Sequence, residues 1–163
     1  MVGLTLRAGR HVDGMVGLMV DVAASLKDGH SLLLLGRPGV GKTSLLRDTT
    51  RFLANTLRKR VILVDTSNEI AGDGPAPHSC IGRARRMQPS DRQKQHSTLI
   101  EAVQNHNPQV IVVDELGTAD EVHAARNIAQ RGVCMVSKYF LLSALTSVRS
   151  SWQQHMVQRY IPY

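Results

Sequence analysis

Eight consecutive residues offer the most specific chemistry in the chain. Gly36-Arg37-Pro38-Gly39-Val40-Gly41-Lys42-Thr43 fits the pattern G-x-x-x-x-G-K-[ST] at every fixed position. Such a segment suits a polyphosphate. Its glycines let the backbone curl so that successive N–H groups point inward at phosphate oxygens. A helix opening near Lys42 adds the positive end of its dipole. Lys42 is expected to reach the β- and γ-phosphates and to count among the catalytic groups. Thr43 is expected to place its hydroxyl on Mg2+, and Ser44 to touch the α-phosphate. The pattern therefore predicts a nucleoside triphosphate site with ATP and Mg2+ as its ligands. The absence of a guanine-reading N-K-x-D run favours adenine.

A second constellation lies downstream. Val110-Ile111-Val112-Val113-Asp114-Glu115 is an apolar run closed by two carboxylates. A carboxylate at the end of a buried strand is costly unless a cation or hydrogen bonds offset it. Asp114 is thus expected in the shell of the magnesium ion, and Glu115 as the base that orients and deprotonates a water. Adjacent Asp-Glu at this place resembles the additional-strand catalytic-glutamate NTPases, which include AAA+, RecA-like and secretion ATPases. That resemblance implies another strand between the loop strand and the Asp strand, with Val133–Val136 as candidate and Ser137 as a polar γ-phosphate sensor at its end.

The middle of the chain adds charge. Asp65-Thr66-Ser67-Asn68-Glu69 follows an apolar run, and Glu69 is a second-choice base. Arg83, Arg85 and Arg86 fall in one segment. Arg83 and Arg86 are candidates to stabilise the transferring phosphoryl group, in cis or from a neighbouring subunit. A solvated basic loop and a nucleic-acid contact remain open for the same residues.

These groups need a scaffold, and the hydropathy pattern supplies one. Ser31–Leu35, Val61–Val64, Val110–Val113 and Val133–Val136 are near-continuous apolar runs, suited to strands covered on both faces of a parallel sheet. Helix-period segments alternate with them. Met15 to Leu26 is one, closed by Gly29 as a C-terminal cap. Leu45 to Leu57 is another, and Ser90-x-x-Gln93 and Thr118-x-x-Glu121 fit capping boxes that start two more. The fold class is α/β, a P-loop NTPase with a parallel sheet flanked by helices.

Composition bounds the remainder. The chain has 163 residues, one domain's worth, and carries a net charge of +7. No apolar run approaches the roughly 18 residues needed to cross a bilayer, so no membrane span is expected. The start shows no signal or transit pattern, which fits a soluble chain. Opening directly on strand-like Leu4 and Leu6 suggests a piece of a longer protein. Cys80 and Cys134 lack metal-ligand spacing and fit ordinary reduced thiols. The seven histidines show no ligand spacing, and no metal is assigned to them. Five of the six aromatics (Tyr139, Phe140, Trp152, Tyr160, Tyr163) crowd the last 25 residues. Leu141, Leu145, Val148, Trp152 and Met156 fit one helix face. A terminal helix over the sheet is expected, with partner or membrane-surface docking as the alternatives. The division is a core over 1–136 and a divergent C-terminal helix or tail over 137–163.

The stretches GRPGVGKTSLLRD, VILVDTSNEIAGDG, HSCIGRARRMQ and VIVVDELGTADEVHAARNIAQRGV resemble the stage III sporulation protein AA-like ATPases, in their cyanobacterial and plastid branch. The resemblance covers about residues 3 to 136. It implies an AAA-type ATPase with ATP as nucleotide, a plastid or cyanobacterial setting (cytoplasmic as the alternative), and a homo-oligomer; a nucleic-acid or protein substrate stays open, and the alternatives are a nucleotide-binding assembly module without hydrolysis or a nucleic-acid-binding protein. It carries over Gly36 to Thr43 as the nucleotide loop and Asp114-Glu115 as the magnesium and hydrolysis pair. Ser137-Lys138-Tyr139-Phe140 stands where that family has Thr-Ala-His-Gly, which points to a truncated or alternatively spliced product.

Overall fold

The computed structural model describes Leu26, residues 29–140 and residues 156–160. Strand β1 (Ser31–Gly36) leads through the glycine loop into helix α1 (Lys42–Arg51), which continues as a π-helical turn over Phe52–Thr56. Strand β2 (Val61–Val64) is followed by a long connection holding a 3-10 turn (Ser79–Ile81) and the short strand β3 (Arg85–Met87). A second 3-10 turn (Arg92–Lys94) opens helix α2 (Gln95–His106). Strand β4 (Val110–Glu115), helix α3 (Ala119–Gln130), strand β5 (Cys134–Phe140) and strand β6 (Met156–Tyr160) complete the order.

The six strands form one sheet in the order β3-β2-β4-β5-β1-β6, and every pairing is parallel. Parallel strands aligned this way bring all their carboxyl ends to one edge. The additional strand expected at Val133–Val136 is β5, and it does lie between β4 and β1.

Alternation along each strand explains the continuous apolar runs. Leu32, Leu34, Val61, Leu63, Val110, Val112 and Val136 face one cluster, shared with Leu45, Leu46 and Leu53 from α1 and its extension. Ile62, Val64, Ile111, Val113 and Met135 face the opposite cluster, with Leu99 from α2 and Ala124, Ala125 and Ile128 from α3. A strand covered on both sides has no polar face to show. Each fully buried leucine contributes about 2 kcal/mol.

Local signals set the helix starts. Thr118 and Glu121 form the expected capping box: the Glu121 N–H donates to Thr118 Oγ1 at 3.3 Å, and Glu121 Oε2 accepts from the Thr118 N–H at 3.0 Å. At the other predicted box the cap is Asp91, not Ser90. Its carboxylate accepts from the Gln93 N–H at 3.1 Å, one residue later than expected, and α2 proper begins at Gln95. The 3-10 turn that precedes the helix shifts its entry and makes Asp91 the capping residue. Gly29 takes the left-handed conformation expected of a cap (φ 80), while the helix predicted before it lies outside the described residues apart from Leu26.

The C-terminal expectation needs correction. Strand β5 runs through position 136 to Phe140, so the strand does not stop where the family resemblance does. Met156 belongs to a strand rather than a helix, and β6 extends the sheet beside β1. A β-branched residue and an aromatic within Met156-Val157-Gln158-Arg159-Tyr160 suit a strand as well as a helix face. The rest of the predicted tail helix, including Leu141 to Trp152, lies outside the described residues.

Gly82 illustrates how the connections are fixed. It has φ 60, and an added Cβ would lie 2.5 Å from Asn55 Oδ1, the atom that accepts from the Arg83 N–H. Gly82→Ala is expected to lower unfolding stability by about 1–3 kcal/mol, read from the midpoint of urea denaturation.

Candidate active site

The carboxyl edge of the sheet gathers the chemistry. Beyond β1 the chain turns sharply at the glycine loop, where a Cβ on Gly36 would lie 2.9 Å from Val40 Cγ2. Gly41 then takes φ 90 as the residue before α1, and no side chain caps that helix. Main-chain N–H groups, not a Ser or Asp cap, therefore line the start of α1. Arg37, Pro38 and Gly39 are exposed, and Val40, Thr43 and Ser44 are half-buried. Lys42 is buried and its Nζ donates to Gly36 O at 2.6 Å and Arg37 O at 2.7 Å, which places its ammonium over the loop. Burial lowers the Lys42 pKa, the nearby Lys138 charge lowers it further, and Glu115 opposes both.

Asp114 and Glu115 close β4 one strand further across. A bulge interrupts the β4–β5 register there: Val113 pairs with Ser137, whereas Glu115 pairs with Lys138. The extra residue is Asp114. Bulges re-aim side chains and recur beside active sites. Asp114 is buried, and its Oδ2 accepts from Ser67 Oγ at 2.6 Å. Its Oδ1 lies 2.7 Å from Lys138 Nζ, an ion pair without the alignment of a hydrogen bond. Lys138 Nζ also donates to Thr43 Oγ1 at 3.0 Å and Glu69 Oε2 at 3.0 Å. One ammonium thus joins the end of the glycine loop, the end of β4 and the loop after β2. Burial alone would lower the Lys138 pKa, but the Asp114 and Glu69 carboxylates outweigh it and raise the pKa.

Glu115 is half-buried, with its pKa raised first by burial and then by Asp114, against Lys138 and Arg92. Its peptide is fixed from α2: Gln95 Nε2 donates to Glu115 O at 2.7 Å, while Gln95 Oε1 accepts from Thr66 Oγ1. A cavity of about 500 Å³ opens beside it, lined by Thr66, Ser67, Arg92, Gln95, Asp114 and Glu115 among others.

The loop after β2 is built around Asp65. This fully buried carboxylate accepts from Ile70 N–H at 3.2 Å and Ala71 N–H at 2.7 Å. Burial raises its pKa against those two hydrogen bonds. Arg47 on α1 holds the same loop from below, donating to Ile70 O at 2.9 Å and to Glu69 O.

The donor set around Thr43 and Asp114 fits a hard divalent cation. A hydroxyl and a buried carboxylate oxygen without an aligned donor are oxygen ligands of the required kind. Among the described residues no cluster of three or more histidine, cysteine or carboxylate side chains could hold a metal. The rest of a cation's shell would therefore come from phosphate oxygens and water.

The structure brings Lys42, Thr43, Asp114 and Glu115 to one edge. It gives neither Arg83 nor Arg86 a hydrogen bond to those four residues, although the Arg86 charge acts on Asp65 at the end of β2. The Arg83 N–H meets Asn55, 13 residues along the helix from Lys42, or roughly 20 Å at the helical rise. Arg86 belongs to edge strand β3 and donates to Gly72 O at 2.6 Å and Gly74 O at 2.5 Å, which staples the glycine-rich loop. Glu69 faces Lys138. Ser137 is buried and donates to the Lys138 carbonyl at 3.3 Å; strand alternation turns its neighbour Lys138, rather than Ser137 itself, toward Thr43. Lys138, Ser67 and Gln95 were not singled out from sequence. The available signal for Lys138 was a lysine set in an apolar strand run. Cys80 and Cys134 are free, buried thiols with pKa values raised by burial.

A parallel sheet with a glycine loop between β1 and α1, and an Asp-Glu strand end beside it, defines a P-loop NTPase. The chain belongs to the ATPase family associated with various cellular activities (AAA), whose model matches residues 32–157. It is 54% identical over 136 residues to the uncharacterized protein ycf45 of Porphyra purpurea, covering 83% of this chain and 24% of that one. It is 53% identical over 137 residues to the protein SEEDLING PLASTID DEVELOPMENT 1 of Arabidopsis thaliana, covering 84% and 20%. A more distant relative is stage III sporulation protein AA of Bacillus subtilis, 28% identical over 79% of this chain and 45% of that one. These relatives agree with the family resemblance in the sequence. The chain spans only a fifth to a quarter of the first two. Among solved structures, the pilus retraction motor PilT with bound ADP has a TM-score of 0.56 at 18% identity, covering 74% of this chain and 34% of that one. The Legionella pneumophila ATPase DotB has 0.54 at 16% identity, covering 78% and 36%. Both likenesses concern the fold. No helix among the described residues is long and apolar enough to cross a membrane.

Asp65→Ala is expected to destabilise the fold by about 2 kcal/mol or more, because it leaves two buried N–H groups without acceptors. Thermal unfolding of the variant against wild type checks this.

Proposed function

We propose that this chain is an ATPase of AAA type that binds Mg-ATP on Gly36–Thr43 and couples its hydrolysis to a conformational change. One observation carries the reading: Thr43 Oγ1 and Asp114 Oδ1 converge on a single cationic atom, at 3.0 and 2.7 Å. A loop hydroxyl and a strand-end carboxylate that share a cation are the arrangement a metal-bound triphosphate requires.

The roles follow from placement. The main-chain N–H groups before α1 and the Lys42 ammonium bind the phosphates. Thr43 and Asp114 would hold Mg2+, which would supply positive charge at the phosphoryl oxygens. Glu115 has its main chain held by Gln95 and its side chain beside the 500 Å³ cavity. There it orients a water and accepts its proton. The Arg86 guanidinium is engaged by the carbonyls of Gly72 and Gly74, so a role for Arg83 or Arg86 at the phosphates is assigned to a neighbouring subunit in a homo-oligomer. A plastid setting, with a part in plastid development, rests on the Arabidopsis relative's name.

Phosphate release from ATP tests the reading. Glu115→Gln is expected to retain nucleotide and lower release by roughly 100-fold or more. Lys42→Ala is expected to weaken nucleotide binding and abolish release. Undiminished release in Lys42→Ala sinks the assignment.

A further inference from the structure

We propose that Lys138 is a resident cation in the divalent-metal position, which a metal arriving with the nucleotide must displace, so that Mg2+ adds little to the nucleotide affinity of this chain. The inference rests on the nucleotide reading above and deepens it.

The geometry is that of a built site. Lys138 Nζ touches Thr43 Oγ1 at 3.0 Å, Asp114 Oδ1 at 2.7 Å and Glu69 Oε2 at 3.0 Å. Three oxygens surround the ammonium, Thr43 Oγ1 and Glu69 Oε2 as hydrogen-bond acceptors and Asp114 Oδ1 as an ion-pair partner. The lysine side chain is 5% exposed, so water does little to screen it. Two of its three partners, Thr43 and Asp114, are the groups assigned to the metal. A divalent ion held by those two oxygens would sit within a few ångströms of the ammonium. An ammonium and a metal ion cannot both fill the space between the same two oxygens. Lysine and metal are therefore alternatives for one position.

Position in the sheet makes this arrangement firm. Lys138 lies on β5, the strand inserted between the loop strand and the Asp strand, and pairs with Leu34 on one side and Glu115 on the other. The bulge at Asp114 turns that carboxylate toward it. Glu69 supplies the third contact from a loop, with its side chain about half exposed (47%). It is the partner most easily withdrawn. Loss of the Glu69 contact would release the ammonium toward the phosphates and open the position to metal.

The test measures metal and nucleotide binding, not turnover. A fluorescent ATP analogue is titrated in Mg2+ and in EDTA, and Mn2+ binding is followed by electron paramagnetic resonance in the presence of ATP. Wild type, Lys138→Met and Glu69→Gln are compared after their thermal unfolding is checked. Wild type is expected to bind the analogue nearly as well in EDTA as in Mg2+. Lys138→Met is expected to gain a metal dependence of roughly tenfold or more, and ATP is expected to tighten Mn2+ binding by that variant by a matching factor, as linkage requires. Glu69→Gln should move in the same direction, and it keeps the test decisive if Lys138→Met does not fold. Identical metal dependence in wild type and in the folded variants, with nucleotide bound, overturns the lysine's role alone. Failure of every protein to bind the analogue under any condition overturns the nucleotide reading and this inference together.

Discussion

A carboxylate at the end of a buried parallel strand must meet positive charge or hydrogen-bond donors, or the strand end cannot stay buried. Asp114 is that group here, and much of the site is arranged to satisfy it. Ser67 donates to one of its oxygens and Lys138 faces the other. The bulge in β4 turns the side chain toward its partners, and β5 delivers the lysine because it is inserted beside β4. Thr43 at the start of α1 joins through the same ammonium. One electrostatic requirement therefore links four separate stretches of chain at the sheet edge.

The loops around this centre are held by their own polar contacts. Asp65 closes the turn after β2 on two main-chain N–H groups. Gln95, at the start of α2, reaches both Thr66 and the carbonyl of Glu115. Arg86 gathers the carbonyls of the glycine-rich segment. Loops built this way position side chains nearly as firmly as strands do. The acidic pair at the end of β4 thus sits on a rigid sheet and faces stapled connections.

Much of this was legible in the residues themselves. The glycine loop, the Asp-Glu strand end and the Thr118–Glu121 box are local patterns, and each is visible without knowing what packs against it. The insertion of β5 between β1 and β4 followed from the resemblance that the acidic pair suggested. Lys138 was not legible, because its role depends on a bulge in another strand and on a loop 69 positions away in sequence. Asp91 rather than Ser90 is the cap because a 3-10 turn starting at Arg92 precedes the helix and shifts its entry by one residue. Met156 fitted a helix face and a strand equally well, and only its pairing with Ser31 on β1 decides between them.

Arg47 carries a mechanical consequence. It stands on the helix that begins at Lys42 and Thr43, yet its guanidinium grips the carbonyls of Glu69 and Ile70. Any rigid displacement of that helix must drag the acidic loop along or tear two contacts. Phosphate-side strain and the far carboxylate are thereby geared to one shaft, so a tilt of the helix is transmitted to the main chain at Glu69.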